Sequence, residues 1–97
     1  MNTYVILRRD GWHTPEDLER DGARSKEVGD GMADDVRWIR SYALKEPSGE
    51  VGTVCVYQAT SPEAIRRHAH AASLPCDEII EVADTIILRP DPVEVAS

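Results

Sequence analysis

Two helix-start signals divide the sequence and set the order of its predicted elements. Each signal joins a hydroxyl residue to a proline and an acid: Thr14-Pro15-Glu16 and Ser61-Pro62-Glu63. The hydroxyl oxygen accepts a hydrogen bond from an amide of the first turn, and proline suits the first helical position. The acid complements the positive end of the helix dipole. We therefore predict one helix after residue 14 and a second helix after residue 61.

Strand-forming segments surround both predicted helices. They are rich in β-branched and aromatic residues or alternate between apolar and polar ones, and they cover residues 3–8, 36–44, 51–59 and 77–83. The turn-forming residues 45–50 predict a hairpin between the second and third strands. Residues 85–88 are expected to extend the last strand or to add a fifth one.

The order β-α-β-β-α-β is that of the ferredoxin-like α+β sandwich. In this fold both helices cover one face of an antiparallel sheet with the strand order 4-1-3-2. We assign residues 1–83 to this domain and residues 84–97 to a C-terminal extension, partly strand and then a mobile tail. The uncovered face predicts a homodimer that forms through this open sheet face, an assembly of the dimeric α/β barrel type.

Composition excludes several classes of partner. The 97 residues include 18 Asp and Glu against 11 Lys and Arg, a net charge of −7, which argues against binding to the nucleic-acid backbone. We expect no membrane span, because no apolar segment approaches the roughly 20 residues that crossing a bilayer requires. The basic residues near the N-terminus follow the apolar stretch, unlike a secretory signal, so we expect a cytoplasmic location. The two cysteines form no CxxC pair and are expected to be free thiols.

Candidate metal ligands converge on the predicted gap between the second helix and the sheet. His68 lies on the apolar stripe of that helix, so its imidazole should point at the sheet. Cys55 and Tyr57 share one face of the third strand. Imidazole and thiolate together suit nickel, zinc or copper, and the tyrosine oxygen is a possible further donor. The alternative is that His68 hydrogen-bonds a tyrosine hydroxyl and that Cys55 is a small apolar core residue.

The second strand adds two aromatic candidates. Regular alternation predicts that Trp38 and Tyr42 share one face of that strand. Together with Tyr57 they form a candidate site for a bound small molecule or cofactor, in which the tyrosines orient the ligand and Trp38 forms an apolar wall. His70 is expected to face solvent, because residues two apart on a helix point in nearly opposite directions and His68 points at the sheet. His13, ahead of the first helix, is also expected at the surface.

Two sequence motifs are similar to those of a known family. The second strand contains Trp38-x-x-Ser41-Tyr42, and the second helix contains Glu63-Ala64-Ile65-Arg66-x-His68-Ala69. In this order and spacing the chain resembles a small bacterial family of domains of unknown function with a ferredoxin-like fold. A characterised member of that family is a nickel-binding homodimer. The resemblance covers roughly residues 4–82 and implies a dimer that binds a divalent transition metal, without implying any catalytic activity.

Two functions from different classes follow. The first is a homodimeric protein that binds nickel or a similar divalent metal through His68 and Cys55, for metal storage, buffering or delivery. The second is a small-molecule-binding protein or a cofactor-free monooxygenase or isomerase, in which His68 acts as acid or base. The sequence contains no nucleophile elbow, phosphate loop or HExxH motif, so we assign no catalytic residue.

Overall fold

The computed structural model describes residues 1–92, and its elements follow the predicted order. They are β1 (Asn2–Trp12), α1 (Pro15–Asp30), β2 (Val36–Lys45), β3 (Val51–Ala59), α2 (Pro62–Ala71) and β4 (Glu78–Glu81). The strands form an antiparallel sheet in the order β2-β3-β1-β4. The predicted ferredoxin-like βαββαβ arrangement is therefore confirmed.

Both helices begin at the predicted caps. The Thr14 hydroxyl accepts a hydrogen bond from the amide of Asp17 at 3.1 Å, and the Ser61 hydroxyl accepts one from the amide of Ala64 at 3.2 Å. Each bond satisfies one of the amides that a helix leaves unpaired in its first turn. Within the described residues, no helix combines the length and apolar character needed to cross a membrane.

The core lies between the helices and one face of the sheet. Burial alternates along β1 and β3 because successive side chains of a strand point to opposite faces. The side chains that form this core are Tyr4, Ile6, Val36, Cys55, Tyr57, Ala59, Ala64 and Ile65. We call this side of the sheet the covered face and the opposite side the open face.

A β-bulge in β2 changes which of its side chains share a face. Trp38 pairs with Tyr57, whereas Tyr42 pairs with Val54, so Ile39 is an extra residue in the ladder. Because a one-residue shift inverts the alternation, Trp38 lies on the covered face and Tyr42 lies on the open face. The prediction that Trp38 and Tyr42 share a face is therefore wrong.

The C-terminal extension differs from the expectation. β4 ends at Glu81, and up to residue 92 the structure contains no further strand, so the strand expected over 85–88 is not formed. A strand needs a neighbouring backbone to pair with, and Ile86, Ile87 and Leu88 are exposed instead. Asp91 contacts Arg40 of β2, at the sheet edge opposite β4. Residues 93–97, the end of the predicted mobile tail, lie outside the described residues.

Candidate metal and ligand site

His68 is buried at the contact between α2, α1 and the covered face. Only 1% of its surface is exposed, as the helical stripe predicts. Its Nε2 lies 3.0 Å from the carbonyl oxygen of Ser25 in α1. Gly29 of α1 lies beside the ring, and a Cβ atom there would be 3.4 Å from Nε2, an ordinary contact distance. The packing of two helices therefore fixes the imidazole on the covered face.

The hydrogen bond to Ser25 determines which nitrogen of His68 is free. A carbonyl oxygen only accepts hydrogen bonds, so Nε2 carries the hydrogen and Nδ1 carries the lone pair. This Nδ1 is buried and has no hydrogen-bond partner among the described residues. Burial lowers the pKa of His68, and the positive charge of Arg8 lowers it further, against the opposite effect of the Ser25 carbonyl. The site therefore holds a neutral imidazole with a free, buried lone pair.

Cys55 lies on the covered face of β3, the same face as Tyr57, as predicted from their spacing. Its sulfur accepts a hydrogen bond from Nη1 of Arg8 at 3.0 Å. The hydroxyl of Thr53 lies 3.4 Å from the same sulfur. Cys55 and Cys76 are both free thiols. Cys55 is thus in contact with a buried cation rather than surrounded only by apolar groups.

Arg8 is the least expected member of this region. Its side chain is among the largest fully buried ones, with 1% of its surface exposed. Nε donates a hydrogen bond to the carbonyl oxygen of Pro75 at 2.7 Å, and the guanidinium carbon lies 6.0 Å from the centre of the Tyr57 ring. No carboxylate of residues 1–92 forms an ion pair with it, and its Nη2 has no partner there.

Tyr57 connects the aromatic candidates to His68. Its ring centre lies 5.5 Å from that of His68 and 6.1 Å from that of Trp38, and the Trp38 ring is parallel to it within 6°. The Tyr57 hydroxyl lies 3.3 Å from the hydroxyl of Ser25. Burial raises the pKa of Tyr57, so this hydroxyl stays protonated. Four of the five candidate residues therefore lie on the covered side.

Tyr42 is the candidate that lies apart from the others. It projects from the open face, is 45% exposed, and donates a hydrogen bond from its hydroxyl to the carboxylate of Asp91 at 2.8 Å. The sheet separates it from His68. The β-bulge at Ile39 is the physical reason, because it turns the second half of β2 over relative to Trp38.

A groove lies beside these residues, between α1 and β2. It has a volume of about 430 Å³ and a mostly apolar lining that includes Gly22, Trp38 and Thr53. The indole Nε1 of Trp38 donates a hydrogen bond to the hydroxyl of Ser41 at 2.7 Å, which fixes the ring at the groove. Thr53 joins the groove to Cys55, since its hydroxyl contacts the Cys55 sulfur.

The free lone pair of His68 meets one requirement of a transition-metal site. Histidines that bind metals usually donate their other ring N–H to a carbonyl or carboxylate, as His68 does with Ser25. Cys55 contributes a thiol on the same side of the sheet. Among the described residues, no group of three or more His, Cys, Asp or Glu side chains is close enough to hold a metal ion. The chain thus offers two suitable donor types, of which the imidazole nitrogen is free.

Sequence reasoning missed Arg8 and Ser25. A signal for Arg8 was present, because Tyr4, Ile6 and Arg8 alternate along β1 and therefore share the covered face. No comparable signal marks Ser25, whose contact with His68 depends on how α1 and α2 pack together.

Taken together, the fold and site define a ferredoxin-like domain with a buried histidine, cysteine and arginine beneath its second helix. The chain belongs to the family of nickel responsive proteins described as SCO4226-like, whose model matches residues 4–82. The predicted resemblance to a small bacterial family is thereby confirmed.

A solved structure shows the same fold. It is the crystal structure of SCO4226 from Streptomyces coelicolor A3(2), which is similar with a TM-score of 0.69 at 21% sequence identity. The similarity covers 87% of this chain and 99% of the SCO4226 chain. Among curated proteins, no significant match was found.

Proposed function

We propose that this chain binds nickel or a similar divalent transition metal, with His68 and Cys55 as protein ligands. The observation that carries the proposal is the buried Nδ1 of His68, which has no hydrogen-bond partner among the described residues. Leaving a buried polar atom unpaired costs about 1–3 kcal/mol, so such an atom calls for a functional explanation. The family description as nickel responsive supports nickel as the metal.

The state of the His68 ring suits a metal ligand. Imidazole nitrogen is a ligand that nickel accepts readily, and it binds only when it is deprotonated. The lowered pKa of His68 favours this neutral form. Its orientation is fixed before binding by the hydrogen bond to Ser25, which reduces the ordering that binding would require. His68 therefore supplies an oriented donor, and Cys55 supplies a thiolate once its proton is released.

We further propose that two copies of the chain associate through the open face. Val5, Val54 and Val56 are only half buried there, and Ile80 and Tyr42 are exposed at 49% and 45%. Contiguous apolar surface on a sheet usually marks an interface, and a second copy offers a matching surface by symmetry. The two copies would form the predicted homodimer of the dimeric α/β barrel type.

The biological role that we propose is metal storage, buffering or delivery in the cytoplasm. Both cysteines are free thiols, as is usual for proteins in a reducing compartment. A metal-binding role also fits the site chemistry better than catalysis, because the described residues around His68 include no nucleophile paired with a base.

The test is a calorimetric titration of nickel into protein that carries no histidine tag. We expect stoichiometric binding by the wild type and a loss of affinity of roughly 100-fold or more in His68→Ala. His70→Ala is the matched control, because His70 is exposed on the same helix. The proposal fails if His68→Ala binds nickel as tightly as His70→Ala does.

The groove beside α1 supports a second candidate function, the binding of a small organic molecule. Its volume of about 430 Å³ falls within the range of roughly 300–1,000 Å³ typical of ligand pockets, and Trp38 forms one wall. Binding of an apolar aromatic probe should change the Trp38 fluorescence. Gly22→Leu, which fills the groove above Trp38, should abolish that change, and an unchanged response would rule out this groove as the binding site.

A further inference from the structure

Arg8 carries a charge that the covered face does not neutralise with a carboxylate. Taking a guanidinium out of water has a large free-energy cost unless an opposite charge and hydrogen bonds compensate for it. Arg8 is 1% exposed and has no ion-pair partner among residues 1–92. A side chain kept at such a cost calls for a role beyond packing.

The contacts of Arg8 point to Cys55. Nε is held by the carbonyl oxygen of Pro75, and Nη2 has no partner in the described structure. Nη1 donates to the Cys55 sulfur at 3.0 Å, the single hydrogen bond that Arg8 makes to another side chain of the described residues. The guanidinium therefore lies against the same sulfur that we propose as a metal ligand.

We infer that Arg8 is a positioning residue that holds the Cys55 sulfur in the metal-free protein and competes with the metal for it. This inference rests on the proposed function. A divalent cation bound to that sulfur would lie close to a second positive charge, and repulsion between such charges is strong away from water. Metal binding therefore requires the contact between Arg8 and Cys55 to be given up.

Arg8 makes few hydrogen bonds that would have to break. Its two hydrogen bonds go to Pro75 and Cys55, and the remaining nitrogen is unpartnered among the described residues. The pairing of β1 with β3 is regular up to Arg8 and irregular between Arg8 and Trp12. Because Arg8 opposes loading, the chain would bind metal with a lower affinity than it would have without the Arg8 contact to Cys55.

The test compares nickel affinity in variants of two adjacent arginines. Arg8→Met removes the charge at similar side-chain length, and Arg8→Lys keeps the charge. Arg9→Gln is the matched control, because Arg9 is exposed and pairs with Glu46. We expect Arg8→Met to bind nickel at least tenfold more tightly than Arg9→Gln, with the thiolate-to-nickel absorption band appearing at lower nickel concentration. Arg8→Lys should stay close to the wild type.

A double variant shows whether the effect acts through Cys55. In a Cys55→Ser background, Arg8→Met should give no gain in affinity, because the sulfur for which Arg8 competes is gone. The inference is wrong if Arg8→Met matches Arg9→Gln or binds more weakly while the wild type binds nickel. If no variant and no wild-type protein binds nickel, the proposed function itself fails, and this inference fails with it.

A measurement on the wild type covers the case in which Arg8→Met does not fold. Zinc is diamagnetic, so the Nε–H signal of Arg8 can be followed by nuclear magnetic resonance during a zinc titration. We expect this signal to shift in step with the signals of His68. An unmoved Arg8 signal, with His68 signals that do shift, would overturn the inference.

Discussion

The two faces of the sheet are formed by the same strands, but their side chains differ in burial. On the covered face, Arg8, Cys55 and Tyr57 are buried against the helices. On the open face, Tyr42 and Ile80 remain 45% and 49% exposed. Since alternate residues of each strand supply the two faces, neighbours in the sequence differ in their surroundings. This contrast is why we propose ligand binding on the covered face and association through the open face.

The polar groups of the two faces also differ in burial and in hydrogen bonding. On the covered face, His68 and Arg8 are buried and each has an atom without a partner in the described structure. On the open face, Arg40 and Tyr42 are exposed and share the carboxylate of Asp91. Unpaired buried atoms cost stability, whereas exposed pairs contribute little to it. Function is therefore the better explanation for the polar residues on the covered face.

The largest expected effect is a difference in the free energy of unfolding between two variants, each with one isoleucine replaced, one on each face. Ile6 is fully buried, so Ile6→Ala should lower the free energy of unfolding by about 2–5 kcal/mol. Ile80→Ala on the open face should cost less than about 1 kcal/mol when the protein is dilute enough to be monomeric. Urea unfolding measures both values, and equal losses would contradict the division into two faces.

The next largest effect is expected on the affinity of the proposed dimer. Val56 lies at the middle of the open face, and Val56→Lys should weaken the proposed dimer about 100-fold, or about 2.7 kcal/mol, by placing a charge in an apolar interface. Ala71→Lys, on the exposed side of α2, is the control with the same added charge. Sedimentation over a range of concentrations would show the change. A dimer that survives in Val56→Lys would exclude the open face as its interface.

The pH dependence of stability tests the covered face. Because burial lowers the pKa of His68, the unfolded chain binds a proton more readily than the folded chain when the pH falls below about 6.5. As the pH falls, His68 should lower the free energy of unfolding by up to about 1.4 kcal/mol per pH unit. This decrease ends once the pH is below the pKa of His68 in the folded protein. His68→Gln should remove that part of the slope. Identical slopes for both proteins, measured by urea unfolding between pH 7.5 and 5.5, would contradict a buried neutral His68.

The smallest effect is expected at the contact of the C-terminal extension. Asp91→Asn weakens the exposed ion pair with Arg40, so it should cost no more than about 1 kcal/mol, and less in high salt. Thermal unfolding at two salt concentrations checks this value. A loss above about 2 kcal/mol would mean that the extension is an integral part of the open face.

The fold was predictable because local signals and topology agree. The caps at Thr14 and Ser61 and the strand patterns define six elements, and the rules of strand connection allow few arrangements of that order. The bulge at Ile39 was not predictable, since no glycine or proline marks it and its effect depends on pairing with β3. The expected strand over 85–88 is not formed, and its apolar side chains are exposed, because a run of apolar residues becomes a strand only when a neighbouring backbone pairs with it.

The candidate site was predictable in part. The spacing of His68 on its helix and of Cys55 on its strand correctly places both on the covered face. The alternation along β1 places Arg8 on the covered face. The hydrogen bond to Ser25 and the contact between Arg8 and Cys55 join residues that are far apart in the sequence, so no local pattern reveals these two contacts. Whether His68 and Cys55 bind metal remains a prediction, and it now includes Arg8 as a competitor.

X-ray absorption at the nickel edge of the stoichiometric complex tests most directly whether nickel binds on the covered face. We expect imidazole and sulfur scatterers in the wild type, loss of an imidazole in His68→Ala, and loss of the sulfur in Cys55→Ser. Cys76→Ser and His70→Ala should leave the spectrum unchanged. A spectrum without sulfur that His68→Ala does not alter would contradict the claim that nickel binds on the covered face.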